Sequence, residues 1–449
     1  MTKELQSTAF SETTRKAMKQ NQAQMAPVAN RPTMNRVAFA SFVGSAIEYY
    51  DFYIYGVAAA LVFPHVFFPN LSPTVATISS FATFAVAFII RPVGSAFFGH
   101  YGDRIGRKKT LIATLLIMGL STVAIGLIPS ASSIGAAAPV ILVFLRALQG
   151  FAVGGEWSGA ALLTAEYAPE RKRGLYGMFP QIGVGTGLVL SSLVFLLVSQ
   201  TVGEGNDAFL SWAWRLPFLF SIVLVAIALY MRLNIEETPV FREGKGNIAK
   251  SPLKELLRAQ LKQTMLAAGA MMSVFTFTFM GGTYLTGYGR TELGHSFSLV
   301  LVSNVVGGLA MVVFCALSAV LCDVYGRRRV ILCGFTLGVP WSFAVLPILD
   351  TGSPFLFVLG IAGTFTVLGI SYGPMASFIP ELFATKYRYT GAGLAYNLAG
   401  VVGGAIPPVI AGVLLTAFGS YAIAILLVTF VLISFICTYA LPETNAKRL

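Results

Sequence analysis

Apolar runs of about twenty residues or more follow one another along almost the whole chain, separated by short polar breaks. The pattern predicts twelve helices, near 37–63, 74–99, 110–128, 139–166, 175–199, 213–233, 263–289, 297–321, 330–348, 354–379, 390–417 and 420–441. Each can cross a hydrocarbon core of about 30 Å, which takes roughly 20 residues. Backbone groups in lipid must bond within their own segment, so the spans are read as helices. The ~10-residue alternating segments of a membrane barrel are absent.

The polar breaks repeat. Residues 99–109 read GHYGDRIGRKK and residues 319–329 read AVLCDVYGRRR, so Asp103 and Arg107 in the first turn correspond to Asp323 and Arg327 in the second. Further along each half, Glu166 and Arg173 bracket YAPERK, and Glu381 and Arg388 bracket LFATKY at the same separation. Two similar halves in tandem follow, giving an all-α membrane protein of two six-helix bundles. The expected organisation is a polar, disordered tail at 1–36, a first bundle at 37–234, a charged linker at 235–262, a second bundle at 263–441 and a short tail at 442–449. Within the linker, Ser251 and Pro252 followed by Leu253, Leu256, Leu257 and Leu261 fit a short amphipathic helix on the inner membrane surface. The string GKGNIA at 244–249 has no strand before it and is not read as a nucleotide loop.

Composition sharpens the class. Of 449 residues, 56% are hydrophobic and only 11% charged, where soluble domains carry about a quarter. The net charge of +12 would suit nucleic acid, but about 27 of the 31 Lys and Arg fall in the tails and in alternate loops. That bias is a topology signal. It puts both termini in the cytoplasm of a multi-pass plasma-membrane protein (the inner membrane in a Gram-negative cell), with anionic lipid headgroups as neighbours and no nucleic-acid role. The four cysteines and three histidines are scattered, so no metal site and no cofactor is expected. No nucleophile–base spacing suggests an enzyme.

Charges inside spans are costly, at least about 2.5–3.5 kcal/mol each on insertion scales, so each needs a partner or a task. The first half holds five: Glu48 and Asp51 on the first span, Arg91 on the second, Arg146 and Glu156 on the fourth. They are the candidates for proton coupling and for lining a central cavity. A static buried pair, such as Asp51 with Arg91, is the competing reading. Polar and aromatic side chains on the spans complete a candidate substrate cavity: Tyr50, Tyr55, Gln149, Gln181, Tyr284, Tyr288, Tyr372, Tyr396 and Asn397. Asp103, Arg107, Glu166, Arg173, Asp323, Arg327, Glu381 and Arg388 are expected to form a cytoplasmic gate, closed in one state and released in another. Gly150/Gly154, Gly155/Gly159 and Gly183, Gly185 and Gly187 read as close helix packing.

These residues carry a family resemblance. RPVGSAFFGHYGDRIGRKK, RALQGFAVGGEWSGAALLTAEYAPERKRGLYGMFPQIG, EYYDFYIYG, WAWRLPF, EETPVF and YGPMASFIPELFATKYRYTGAGLAYN together resemble the metabolite:proton symporter branch of the major facilitators, with its shikimate, α-ketoglutarate, citrate and proline/betaine carriers. Tyr49 stands where that branch often has Trp, and Ala319 where Gly is expected. The resemblance implies proton-driven import of a small polar metabolite by alternating access. A carboxylate or zwitterion is the expected substrate, since Arg91 and Arg146 are the mid-span cations and Arg suits bidentate carboxylate binding. The partners are then the metabolite, protons and lipid, and the protein is expected to act as a monomer. The alternative is an exporter or facilitator of the same fold that uses its charges only for packing.

Overall fold

The computed structural model describes residues 34–105, 107–203, 207–233, 252–384 and 388–445, and the side chains of 99–108, 158, 163, 165–167, 170, 207 and 252–254 lie outside the description. Twelve long segments appear in the expected order: α1 (Met34–Leu61), α2 (Pro73–Ile105), α3 (Arg107–Leu127), α4 (Ala137–Val153 and Glu156–Tyr167), α5 (Arg173–Val202) and α6 (Leu216–Leu233). The second half supplies α7 (Leu261–Thr291), α8 (Phe297–Tyr325), α9 (Arg327–Asp350), α10 (Pro354–Glu381), α11 (Arg388–Phe418) and α12 (Ser420–Ala440). Ten are long and apolar enough to cross a membrane. The other two are α1, which carries Glu48, Asp51 and four tyrosines, and α4, which breaks at Gly154–Gly155. Residues such as Phe144, Leu197, Val324 and Phe418 stay exposed on the outer faces, as lipid-facing positions must. The linker helix spans Pro252–Ala259, with Leu256 buried and Leu257 exposed. Residues 1–33 and 234–251, which carry most of the expected tail and linker, lie outside the described residues.

Small residues set how close the helices come. A Cβ on Gly150 of α4 would sit 2.2 Å from the Ala87 carbonyl oxygen of α2, and one on Gly154 would sit 2.2 Å from that of Arg91. The backbones of α2 and α4 therefore touch, which is what presents Arg91 beside the α4 break. On α5, Gly183 and Gly187 lie against α1 while Gly185 faces Gly308 of α8, so this helix is clamped between the two halves. Gly155 and Gly159 differ from expectation: a Cβ on either would meet neighbours no closer than 3.6 Å. Gly150→Ala should thus destabilise the detergent-purified protein by about 1–3 kcal/mol or more, as overpacking does. Gly159→Ala should leave thermal unfolding nearly unchanged.

The bundle α1–α6 meets α7–α12 chiefly through α5 on α8 and α2 on α11. Gly56 and Tyr53 of α1 pack on Thr283 and Gly282 of α7. One end carries the charged turns that follow the even-numbered helices. Four devices loosen the helices near mid-length: the α4 break, a break in α10 at Gly373–Pro374, and π-helical turns at Met280–Tyr284 in α7 and Gly400–Ala405 in α11. Interrupted helices in corresponding positions of two halves mark the midplane site of many transporters.

Candidate functional site

The α4 break exposes carbonyl groups that helix geometry leaves unpaired, and the opposite bundle supplies the donors. Asn397 of α11 donates to the Gly154 oxygen at 2.7 Å, and Tyr389 donates to the Gly155 oxygen at 2.8 Å. Around this junction the halves meet through aromatic groups. The Tyr49 and Tyr396 hydroxyls are 2.5 Å apart, and Trp157 stacks on Tyr396 with ring centres 4.1 Å apart. Trp157 donates to Gln181 at 3.2 Å, whose amide nitrogen donates to the Tyr372 carbonyl oxygen at 3.0 Å. Gln181, Tyr372, Tyr396 and Asn397 are therefore brought together between the bundles. Tyr49 belongs to the same cluster.

All five mid-span charges are buried, none more than 5% exposed, but they fall into different environments. Asp51 turns into the first bundle, where Thr122 of α3 and Ser221 of α6 donate to its two oxygens at 2.9 and 2.8 Å. Gln149 donates to Thr122 and accepts from Arg146 at 2.9 Å, so a chain of polar contacts links Arg146 to Asp51. The suggested Asp51–Arg91 pair does not form: hydroxyl groups satisfy the carboxylate and every Arg91 nitrogen lacks a hydrogen-bond partner. Arg146 lies over the rings of Tyr55, Phe52 and Phe84, 3.9 to 5.0 Å from their centres. Tyr50 also faces inward, donating to the Pro217 carbonyl oxygen of α6 at 2.8 Å, and Tyr55 donates to Thr83 of α2. Neither joins the interface between the halves. Tyr288 is tied to Asp350 at the end of α9, and Tyr284 packs on Phe81 of α2.

Arg91 is different. Its guanidinium is 1% exposed, lies 4.3 Å from the centre of Phe52 and 4.6 Å from that of Phe88, and has no hydrogen-bond acceptor on any of its three nitrogens. Cation–π contacts are worth about 2 kcal/mol when desolvated, less than the several kcal/mol that burying a cation costs. Nearby, Glu48 has one buried oxygen without a partner and lies within the electrostatic reach of both Arg91 and Arg232. Arg232 was not among the expected site residues. It sits in the last turn of α6, where the sequence reads as an ordinary topological charge, yet its side chain turns inward to pair with Glu156 and donates to the Leu111 carbonyl oxygen of α3. Glu156 is therefore ion-paired rather than free in the cavity.

At the charged-turn end, the Glu–Arg repeats cross over. Glu381 pairs with Arg327 at 2.9 Å and approaches Arg173 of the other half at 4.0 Å. Asp323 lies 3.7 Å from Arg327 and accepts from the backbone amides of Gly174 and Leu175 at 2.9 and 3.0 Å. A carboxylate from α8 thus caps the N-terminus of α5, where the helix dipole favours negative charge. Glu443, beyond α12, accepts from the Arg327 and Arg328 amides at the start of α9, a contribution that no repeat in the sequence pointed to. Arg388 is buried at the same end. The side chains of Asp103, Arg107 and Glu166 lie outside the described residues.

Comparison with known proteins agrees with this architecture. The family model of the Major Facilitator Superfamily matches residues 41–407. The inner membrane metabolite transport protein YhjE of Escherichia coli K12 is 42% identical over 423 residues, covering 92% of this chain and 96% of the relative. The shikimate transporter of the same organism is 40% identical, covering 89% and 92%, and its proline/betaine transporter is 36% identical, covering 83% and 76%. Among solved structures, a D-xylose–proton symporter superposes with a TM-score of 0.72 at 19% identity, covering 92% of this chain and 99% of that one. With twelve helices in two bundles and close relatives that carry metabolites, the chain belongs to the Major Facilitator Superfamily and is a multi-pass membrane transporter, not an enzyme.

Proposed function

We propose that the protein is a proton-coupled importer of a small carboxylate or zwitterion that works by alternating access, with its charged turns and both termini in the cytoplasm. The observation that carries this reading is Arg91, a buried guanidinium with no acceptor beside the junction of the two bundles. A substrate carboxylate would supply two acceptors in the fork geometry that Arg favours. Shikimate, proline and betaine, the compounds in the relatives' names, all carry one.

Arg91 and Glu48 are also suited to link substrate and proton. A carboxylate bound to Arg91 cancels the field of that cation at Glu48, which is buried and lacks a donor on one oxygen, so substrate on Arg91 strengthens the hold of Glu48 on its proton and substrate release weakens it. A potential of about 100 mV supplies roughly 2.3 kcal/mol per charge and one pH unit about 1.4 kcal/mol. One proton with a zwitterion can therefore support several-hundred-fold accumulation, while a monoanion with one proton moves without net charge. Anionic lipids are placed beside the charged turns, and the protein is taken to work as a monomer.

Uptake into vesicles of a panel containing shikimate, proline and glycine betaine, with and without an inward proton gradient and an uncoupler, tests the reading. Indifference to both gradient and uncoupler, or net outward flux, would favour the exporter or facilitator. The carboxylates should also separate. Glu48→Gln is expected to cut gradient-driven accumulation more than tenfold and leave counterflow within about threefold. Asp51→Asn should keep coupling but lose about 1–3 kcal/mol of stability, because a satisfied buried acceptor is replaced by an amide. Normal accumulation by Glu48→Gln would remove Glu48 from the proton path.

A further inference from the structure

Arg232 has more work available than one ion pair requires. Its guanidinium is held by Glu156 of α4 and the Leu111 carbonyl oxygen of α3, and its Nη2 lies 3.8 Å from where a Cβ on Gly44 would project. Gly44 is one helical turn before Glu48 on α1, so the missing side chain leaves the guanidinium alongside the helix that carries the second carboxylate. Both Glu48 and Glu156 keep one buried oxygen without a hydrogen bond. One cation therefore lies among carboxylates of two helices, paired with Glu156 here and within electrostatic reach of Glu48.

We propose that Arg232 is a shared cation that passes between Glu156 and Glu48, and that the transported proton occupies whichever carboxyl Arg232 has left. The inference rests on the proton-coupled reading above. In the arrangement seen here Arg232 is with Glu156, so Glu48 carries the proton. When Arg232 swings to Glu48, the O–H bond at Glu48 breaks and one forms at Glu156, and Glu156 then releases the proton to water at the charged-turn end. Each of the two arrangements holds one proton, one cation and two carboxyl groups, so the switch itself creates no net charge in the bundle, and only the release of the proton to water changes it by one. The order also has direction: Glu48 lies at mid-length of α1, beside Arg91, whereas Glu156 pairs with a residue in the last turn of α6. Other groups facing Glu48 are Arg91 of α2, Asp51 and Tyr49 of α1, and Tyr396 of α11. None of them contacts Glu156 in the way Arg232 does, so Arg232 acts here as a positioning residue for both acids.

Infrared absorption by protonated carboxyl groups tests this without any substrate. The probe is the purified full chain in lipid vesicles at neutral pH, and the Glu48 contribution is the C=O band lost in Glu48→Gln. In Glu156→Gln the shared-cation scheme sends Arg232 to Glu48, so that band should disappear although Glu48 is still present. The double variant Arg232→Gln/Glu156→Gln removes the cation and should restore the band to its wild-type size. If Arg232 were only a structural partner of Glu156, Glu156→Gln would leave the band intact, and that result overturns the proposal. So does failure of the double variant to restore it, or the absence of a Glu48 band in the wild type. Should Glu156→Gln not fold, Glu156→Asp, which shortens the side chain and weakens its hold on Arg232, should lower the band in part; an unchanged band is again contrary. Vesicle uptake indifferent to a proton gradient would sink the functional reading, whereas the infrared result judges the shared cation alone.

Discussion

Arg91→Met is expected to weaken substrate binding at least a hundredfold while raising the thermal stability of the ligand-free protein. The two effects have opposite signs because Arg91 is buried with no acceptor on its guanidinium. In the empty protein the cation pays a desolvation cost that the faces of Phe52 and Phe88 offset only in part. Replacing buried ionic groups with apolar ones of similar volume is often stabilising, by about 1–4 kcal/mol. In the complex, removing one partner of a hydrogen-bonded buried charge pair costs about 2–5 kcal/mol. A hundredfold loss corresponds to about 2.7 kcal/mol. Thermal unfolding of the purified protein with and without the substrate found by the uptake panel reads both quantities together. Arg146→Met is the control: it breaks a hydrogen bond to Gln149 and contacts with three rings, so it should lower stability in the empty protein. If Arg91→Met also destabilises the empty protein and leaves affinity unchanged, Arg91 is a packing residue and the carboxylate reading loses its support.

The helices and their order were legible because lipid imposes them: a span must be long, apolar and hydrogen-bonded within itself, and each of those demands is written in consecutive residues. The breaks in α4 and α10 were not anticipated: both segments read as continuous apolar spans, and Gly154 and Gly155 were read as packing glycines, although helices tolerate Gly–Gly and Gly–Pro poorly. The charged residues were legible as a set for the same energetic reason. Their partners were not. Asp51 is satisfied by Thr122 and Ser221, ordinary hydroxyl residues 71 and 170 positions away, and helix periodicity says nothing about which neighbouring helix a carboxylate will face. Tyr50 shares a polar tract with Asp51 and points with it into the first bundle, where its hydroxyl donates to the Pro217 carbonyl oxygen. Arg232 was hidden because a cation in the last turn of a span normally extends toward the headgroups. Only the position of Glu156, on α4, shows that it turns inward. At the charged-turn end the repeat marked a set of charged residues but not their partners: Glu381 is shared by Arg327 and Arg173.

Asp323→Asn is expected to open the charged-turn end. The carboxylate joins three groups at once: it accepts from the amides of Gly174 and Leu175 in the first half and lies beside Arg327 in its own half. The two amides are among the first N–H groups of α5, which have no partner within the helix, so Asp323 satisfies donors that only its bundle-to-bundle contact can reach. These bonds exist only while the halves are closed together here. Asn keeps the shape and one acceptor but loses the charge and the second acceptor. Charge-assisted hydrogen bonds are worth about 1.5–3 kcal/mol, and 1.4 kcal/mol moves a two-state equilibrium tenfold. The closed population should therefore fall at least tenfold relative to the open one. Arg91, Glu48 and the Tyr49–Tyr396 contact lie at a different level of the molecule, so intrinsic affinity should change less than about threefold while turnover slows. The reading is the rate at which a cysteine placed on the bundle-facing side of α5 reacts with a reagent added from the charged-turn side, measured beside transport in the same vesicles. Faster labelling with slower transport is the expected pair. Unchanged labelling with lost transport would mean that Asp323 stabilises the fold rather than a facing state, and Glu381, which bridges the same two halves through Arg173 and Arg327, would become the residue on which closure depends.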